Sequence, residues 1–133
     1  MNVMTKDFTI LVADPNLNVR QFLARELMGS GYHVVSVENY TEIFRRITEG
    51  NPPDLIIFDL NIPHTNGFDA LQRINRLHPP IPTIIYSYLA EYEKHPEIRK
   101  AQAFIQKEDD PVALFSAVDE IFREHHAASA ASG

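Results

Sequence analysis

Residues 54–63 read DLIIFDLNIP, and this stretch is the most informative about the fold. Leu55 to Phe58, at its centre, form an unbroken apolar run with no polar residue between them. A strand that is apolar on both faces is typical of a parallel sheet that helices cover on both sides. Asp59 follows this run directly. We therefore predict a central buried strand that carries a carboxylate at its carboxyl end.

Four more short apolar runs flank this strand, and segments of helical period separate them. Branched and aromatic residues dominate these runs, which we predict as strands at Phe8–Ala13, His33–Val37, Thr83–Tyr86 and Ala103–Ile105. Strands that alternate with helices, joined by right-handed crossovers, form a doubly wound parallel sheet. The fold class is therefore α/β, with five strand–helix units in one sheet.

Turn and cap residues set the limits of the predicted helices. The first three are predicted from about Leu17 to Gly29, Thr41 to Thr48 and Gly67 to Leu77. The segment from Leu89 to Lys100 is predicted to be a short helix or two fragments, because Pro96 interrupts it. Asp110 and Pro111 suit the cap and the first position of a fifth helix.

Composition indicates one domain. The chain has 133 residues, of which 44% are hydrophobic and 23% are charged, and it has no cysteine. A chain of this length can bury one core without disulfides, and the lack of thiols excludes cysteine catalysis and thiolate zinc sites. We predict a single domain over residues 1–126. Residues 127–133 are rich in Ala and Ser, so we predict a disordered tail or a truncated linker there.

The charge balance and the lack of long apolar runs limit which partners and which cellular location we expect. The 18 acidic residues outweigh the 12 basic residues and give a formal net charge of −6. This is the wrong sign for direct binding to nucleic-acid phosphates. No apolar run approaches the about 20 residues of a membrane span, and residues 1–7 lack the apolar core of a signal peptide. We therefore expect a cytoplasmic protein without direct nucleic-acid or membrane contact.

Polar residues stand at the carboxyl ends of four predicted strands. Asp14 follows the first strand, Asp59 the third and Ser87 the fourth, and Lys107 comes two residues after the fifth. Functional groups of doubly wound sheets gather at this edge, where the chain order reverses. A single Asp at a strand end is commonly only a turn or cap residue, but four polar groups at one edge predict a site.

These residues resemble the receiver domain of two-component response regulators, over Phe8 to Phe122. The resemblance is carried by ILVAD at 10–14, DLIIFDLNIP at 54–63 with Gly67, PTIIYS at 82–87 and FIQK at 104–107. It implies a flavodoxin-like (βα)5 sheet with strand order 2-1-3-4-5. It also implies that Asp59 accepts a phosphoryl group from a histidine kinase or a phosphotransfer protein, a role that suits a carboxylate because the resulting acyl phosphate is labile.

The resemblance also implies roles for the other candidate residues. Mg²⁺ would be held by Asp14, by Asp59 and by the main-chain carbonyl of Asn61, which are oxygen donors of the kind that Mg²⁺ prefers. The Lys107 ammonium and the Ser87 hydroxyl would each contact a phosphoryl oxygen.

The implied output is a change of shape. Ser87 and an aromatic switch residue, Phe104, would move together on phosphorylation. This movement would alter the surface made by the fourth helix, the fifth strand and the fifth helix, which would bind a partner or form a homodimer. Such a chain is a signalling domain and not an enzyme, beyond self-catalysed phosphotransfer and dephosphorylation.

Three positions depart from the receiver pattern. Pro15 stands where the family has a second acid, so Mg²⁺ binding is predicted to be weak, with the amide oxygen of Asn16 as an uncharged substitute. Tyr88 stands where the family prefers a small residue, and its ring could cover the approach to the acceptor. Glu108 replaces the usual proline after the lysine.

Three functions stay open at this point: a phosphoacceptor switch, a degenerate receiver that binds partners independently of phosphorylation, and a small α/β hydrolase or cofactor protein. A phosphatase of the haloacid dehalogenase type is disfavoured because it needs a second Asp where Asn61 stands. A flavodoxin-type cofactor site is disfavoured because the loop at residues 14–18 would present Asp14 to a phosphate.

Overall fold

The structure, a computed structural model, describes residues 8–62, 65–88, 93–107 and 110–132, and it describes side chains up to residue 124. Among these residues, five strands alternate with five helices: β1 (Thr9–Ala13), α1 (Leu17–Gly29), β2 (His33–Val37), α2 (Thr41–Thr48), β3 (Leu55–Phe58), α3 (Gly67–Asn75), β4 (Thr83–Ser87), α4 (Pro96–Arg99), β5 (Ala103–Gln106) and α5 (Val112–Ser132). The strands pair in parallel in the order β2-β1-β3-β4-β5. The predicted doubly wound sheet is confirmed.

The sheet divides the interior into two apolar layers, because successive side chains of a strand point to opposite faces. In β1, Leu11 and Ala13 join the layer formed with α2 and α3, whereas Ile10 and Val12 join the layer formed with α1 and α5. Every residue of β3 is buried, which confirms that this strand is covered on both faces. The two packed layers fix where the carboxyl ends of the strands lie.

Asn and Asp side chains start three of the helices. The side-chain oxygen of Asn16 accepts two main-chain N–H groups in the first turn of α1, and that of Asn66 does the same for α3. The Asp110 carboxylate accepts from the main-chain N–H of Val112 at 3.0 Å, which confirms the predicted cap of the fifth helix. These caps satisfy N–H groups that have no partner inside the helix.

Two predicted helix limits differ from the structure. α3 ends at Asn75, and Leu77 belongs to a tighter turn in which its N–H donates to the carbonyl three residues back. In the fourth segment, Pro96 begins α4 instead of interrupting a helix, because the first helical position needs no N–H donor. Residues 89–92 of that segment lie outside the described residues.

Helix α5 extends further than predicted. Its backbone is helical through Ser132, so residues 127–132 continue the helix where we predicted a disordered tail or a truncated linker. Alanine is the strongest helix former, and no Gly or Pro interrupts this stretch. None of the described helices, α5 included, combines the length and the apolar character that crossing a bilayer requires.

Gly67, the first residue of α3, lies against the chain that follows β3. A Cβ added to Gly67 would be 2.3 Å from the main-chain oxygen of Leu60. That oxygen belongs to the backbone, so it cannot rotate away as the end of a side chain can. Glycine is therefore required for α3 to approach the residue that follows Asp59.

Gly67→Ala is expected to lower the free energy of unfolding by about 1–3 kcal/mol, because overpacking against a fixed carbonyl displaces the backbone. Gly29→Ala is the matched control, since a Cβ there meets no heavy atom within 4 Å. Gly29 is the last residue of α1, so alanine there is expected to raise stability by less than the about 1 kcal/mol of a helix interior. Chemical denaturation measures both variants, and equal effects would contradict the close approach as the reason for glycine.

Candidate functional site

Three charged side chains from the ends of β1, β3 and β5 meet at the carboxyl edge of the sheet. The Lys107 Nζ donates to Oδ2 of Asp14 and to Oδ2 of Asp59, both at 2.6 Å. Lys107 is 7% exposed, Asp14 is 2% exposed and Asp59 is 5% exposed. Strand β4 separates β3 from β5, so the long lysine side chain is what spans the distance to both carboxylates. Ion pairs between side chains therefore join the predicted strand-end residues Asp14, Asp59 and Lys107.

The two carboxylates share the same local geometry. Oδ1 of Asp14 accepts from the N–H of Asn16 at 2.9 Å, and Oδ1 of Asp59 accepts from the N–H of Asn61 at 2.8 Å. In each turn the side chain binds the main chain two residues ahead. One oxygen of each carboxylate is thus held by the main chain, and the other faces Lys107.

The charge of Lys107 is maintained by its partners. Burial of the ammonium lowers the pKa of Lys107, but the hydrogen bonds and charges of Asp14 and Asp59 outweigh burial, and the net pKa is raised. Lysine therefore stays protonated at neutral pH. Two carboxylates and one ammonium leave one formal negative charge in the cluster, which favours the approach of a cation.

Two tyrosine rings lie beside the ammonium. The Lys107 Nζ is 5.5 Å from the ring centroid of Tyr86 and 5.3 Å from that of Tyr88. Tyr88 is 68% exposed, so its ring forms part of the outer surface beside the charged cluster. A cavity of about 240 Å³ opens next to these rings, lined by both tyrosines, Lys107, Phe22 and Pro111 among others.

Ser87 and Phe104 lie on β4 and β5, the two neighbouring strands closest to Lys107 in the sheet order. Ser87 is the last residue of β4 and is 1% exposed, and its carbonyl accepts from the main-chain N–H of Lys107 at 2.8 Å. Phe104 lies on β5, is half-buried and packs against the apolar layer that contains Ile98 of α4. Both residues have the strand positions that the sequence predicts, and their switch roles remain predictions.

Two residues that the sequence pattern did not single out hold the main chain behind the carboxylates. The Tyr40 hydroxyl donates to the carbonyl of Asp59 at 2.7 Å, and Arg20 Nη1 donates to the carbonyl of Asp14 at 2.6 Å. Each acidic residue is therefore held through both its side chain and its main chain. Their positions along the chain could have indicated these two residues, because Tyr40 follows β2 at this edge of the sheet and Arg20 lies in the first turns of α1.

The candidate donor atoms of the site are oxygens, as Mg²⁺ prefers, but only those of Asp14 and Asp59 carry charge. The carboxylates of Asp14 and Asp59 and the carbonyl of Asn61 are hard oxygen donors, which Mg²⁺ prefers. Pro15 offers no ligand, and the side-chain oxygen of Asn16, predicted as a substitute, instead accepts two N–H groups at the start of α1. Within the described part of the chain, no three His, Cys, Asp or Glu residues cluster as metal ligands. Glu108, the third departure, lies outside the described residues.

Comparison with known families gives one match over most of the chain. The model of the response regulator receiver domain family matches residues 10–119. The DNA-binding transcriptional regulator NtrC of Bradyrhizobium sp. (strain RP501 Parasponia) is 31% identical over 118 residues, which cover 87% of this chain and 24% of NtrC. Response regulator RR06 of Streptococcus pneumoniae is 34% identical over 103 residues, which cover 77% of this chain and 44% of RR06. The chain thus spans less than half the length of these relatives.

Comparison with solved structures also finds response regulators. The crystal structure of response regulator TrrA from Thermotoga maritima in complex with Mg²⁺-BeF is similar, with a TM-score of 0.77 and 26% identity, over 85% of this chain and 97% of TrrA. A structure of TrrA in complex with the histidine kinase ThkA matches with a TM-score of 0.75 and 26% identity over the same shares of the two chains.

Lys107→Met is expected to lower the free energy of unfolding by about 3 kcal/mol or more, because it leaves two buried carboxylates without their cation. Lys100→Met is the matched control: Lys100 pairs with Glu97 at 3.2 Å but is 59% exposed, so about 0.5 kcal/mol or less is expected. Denaturation of both variants tests this difference. Millimolar Mg²⁺ is expected to restore part of the loss in Lys107→Met, and a variant as stable as wild type would contradict the role of the ammonium.

The protein is expected to lose stability as the pH rises from about 10 to about 12. Burial raises the pKa of Tyr40 from 10.0 to about 12, and it raises the pKa of Tyr86 as well. Because the unfolded chain releases these protons first, the stabilisation is complete below the ordinary tyrosine pKa and disappears through this window; the raised pKa of Lys107 acts in the same direction. Denaturation across the window is expected to show a shallower slope for Tyr40→Phe, and identical slopes would refute this assignment.

Proposed function

The chain belongs to the response regulator receiver domain family, and on that premise we propose that it accepts a phosphoryl group on Asp59. We propose a phosphohistidine of a histidine kinase or a phosphotransfer protein as the donor, as the complex of the similar protein TrrA with the kinase ThkA supports. Receiver domains are signalling domains rather than classical enzymes. We therefore propose that the chemistry of this chain consists of its own phosphotransfer and dephosphorylation.

The observation that carries this proposal is the buried contact of one ammonium with two carboxylates. Lys107 lies 2.6 Å from Oδ2 of Asp59, while the main chain holds Oδ1. In the proposed step Oδ2 attacks phosphorus, the bond from phosphorus to the donor imidazole nitrogen breaks, and its electron pair stays on the imidazole. The product is an acyl phosphate, whose phosphoryl oxygens would accept hydrogen bonds from the Lys107 ammonium and the Ser87 hydroxyl.

Receiver domains generally bind Mg²⁺, and the similar TrrA structure is a complex with Mg²⁺-BeF. Here Asp14, Asp59 and the carbonyl of Asn61 would hold the ion, which supplies further positive charge beside the phosphoryl oxygens when bound. We propose that this binding is weak. Pro15 removes one carboxylate, and both remaining carboxylates already share the charge of Lys107.

We propose that the phosphorylated state is transmitted through α4, β5 and α5. Phe104 of β5 packs against the apolar layer that contains Ile98 of α4, so a movement of its ring would reach this face. This face would bind a partner or a second copy of the chain, and the chain's own net charge of −6 argues against direct contact with nucleic acid. The cytoplasmic location without membrane contact, expected from the sequence, stays part of the proposal.

Beryllofluoride, a tetrahedral mimic of the phosphoryl group, tests the acceptor. With Mg²⁺ it is expected to shift the NMR signals of Asp59, Ser87 and Lys107, and Asp59→Ala is expected to abolish the shifts. Asp54→Ala is the control, because Asp54 is exposed at the other end of β3 and binds the main-chain N–H of Thr9. Absence of any shift in wild type would refute the proposal and leave an interaction module that does not depend on phosphate.

Pro15→Asp is expected to tighten Mg²⁺ binding by about tenfold, because affinity at such sites rises with the number of carboxylates. Pro15→Asn is the matched control, since it removes the proline ring without adding charge. Titration with Mg²⁺, followed at the Asn61 amide, gives both affinities. If the Asp variant gains nothing over the Asn variant, the missing charge is not the reason for weak binding.

A further inference from the structure

Tyr40 is packed against the strand that carries the acceptor. It lies between the end of β2 and the start of α2 and is buried. Its ring stacks on that of Phe58, with 4.7 Å between the ring centroids and 16° between the ring planes. Phe58 is the last residue of β3 and directly precedes Asp59. The stacked rings therefore bring the Tyr40 hydroxyl to the loop that leaves this strand.

The Tyr40 hydroxyl joins both ends of the segment from Asp59 to Ile62. It donates to the carbonyl of Asp59 at 2.7 Å and accepts from the N–H of Ile62 at a longer 3.4 Å. Thr65 Oγ1 donates to the carbonyl of Ile62 at 2.5 Å, which ties down the far end of the same segment. One side chain from outside the loop thus closes the turn that contains the acceptor.

The carbonyl of Asp59 and the orientation of its carboxylate are linked through the main chain. The carbonyl lies in one rigid peptide plane with the N–H of Leu60, and the chain runs from this plane to Asn61. The N–H of Asn61 donates to Oδ1 of Asp59 at 2.8 Å. Holding the carbonyl in place therefore holds the group that orients the carboxylate.

We propose that Tyr40 is a positioning residue for phosphoryl transfer: its hydroxyl holds the main chain so that Oδ2 of Asp59 stays directed at the incoming group. This inference rests on the proposed role of Asp59 as acceptor. Tyr40 touches no reacting atom and acts through the Asp59 carbonyl. Phenylalanine would keep the stack on Phe58, so the hydroxyl alone distinguishes positioning from core packing.

Tyr32 offers a matched comparison on the other face of the sheet. It is also buried, and its hydroxyl donates to the carboxylate of Asp119 at 2.8 Å. Its ring lies 5.1 Å from that of Phe122, in the layer formed with α1 and α5. Loss of the Tyr40 hydroxyl removes the 2.7 Å hydrogen bond to a carbonyl and the longer one at 3.4 Å, and loss of the Tyr32 hydroxyl removes one at 2.8 Å to a carboxylate, so losses of stability of comparable size are expected. Of the two hydroxyls, that of Tyr40 bonds to the main chain of Asp59.

The test is a titration of the full chain with beryllofluoride in the presence of Mg²⁺, for wild type, Tyr40→Phe and Tyr32→Phe. Tyr40→Phe is expected to weaken binding about three- to tenfold, the effect of losing the hydrogen bond to the Asp59 carbonyl, and Tyr32→Phe is expected to bind as wild type does. Equal weakening in both variants would indicate a general loss of stability. Unchanged binding in Tyr40→Phe would show that the hydroxyl has no part; either result overturns the proposal.

Hydrogen exchange at the Asn61 amide separates this proposal from the acceptor role of Asp59, because it needs no ligand. Tyr40→Phe is expected to speed this exchange about threefold or more, and Tyr32→Phe is expected to leave it unchanged. If wild type fails to bind beryllofluoride, the acceptor role falls, and faster exchange in Tyr40→Phe still supports Tyr40 as the residue that orients the carboxylate. Unchanged exchange in that variant overturns the proposal.

Discussion

One ammonium shared by two buried carboxylates is the interaction on which the site depends. Lys107 is bound at 2.6 Å by both Asp14 and Asp59, and all three side chains are nearly inaccessible to solvent. Two carboxylates buried together would be costly without a cation, since each charge loses water and the two repel. The sheet provides the position of the acids at the ends of neighbouring strands, and the lysine from the edge strand provides the charge that allows them to be buried there.

The same charge balance bears on the predicted departure from the receiver pattern at Pro15. Pro15 carries no charge, and Lys107 pairs with both Asp14 and Asp59, so one formal negative charge remains in the cluster of these three charged residues. The side-chain oxygen of Asn16, predicted as an uncharged substitute ligand, accepts two main-chain N–H groups at the start of α1. The groups proposed to contact the phosphoryl oxygens are kept, while the groups that would hold the metal are reduced.

Around the charged cluster, the main chain is fixed from several directions. The N–H of Asp59 donates to the carbonyl of Ala13 at 3.0 Å, its carbonyl accepts from Tyr40, and the glycine at position 67 lets α3 approach the next residue. Arg20 holds the carbonyl of Asp14 in the same way. Held this firmly, the proposed acceptor loses little freedom when it reacts, which is the physical advantage of a preorganised site.

The sequence alone determined the strands to within one residue at each end and identified the four polar groups at their carboxyl ends, because apolar runs, caps and turn residues are local signals. It also placed Asp110 as the cap of α5 and predicted a short helix or two fragments before β5, but it did not predict that Pro96 begins α4 or that α5 continues through Ser132. The contacts that depend on the tertiary structure are those by which Lys107 bridges both acids and Tyr40 reaches the Asp59 carbonyl. These contacts join residues that are up to 93 positions apart, and they exist only once the order β2-β1-β3-β4-β5 has brought the strand ends together.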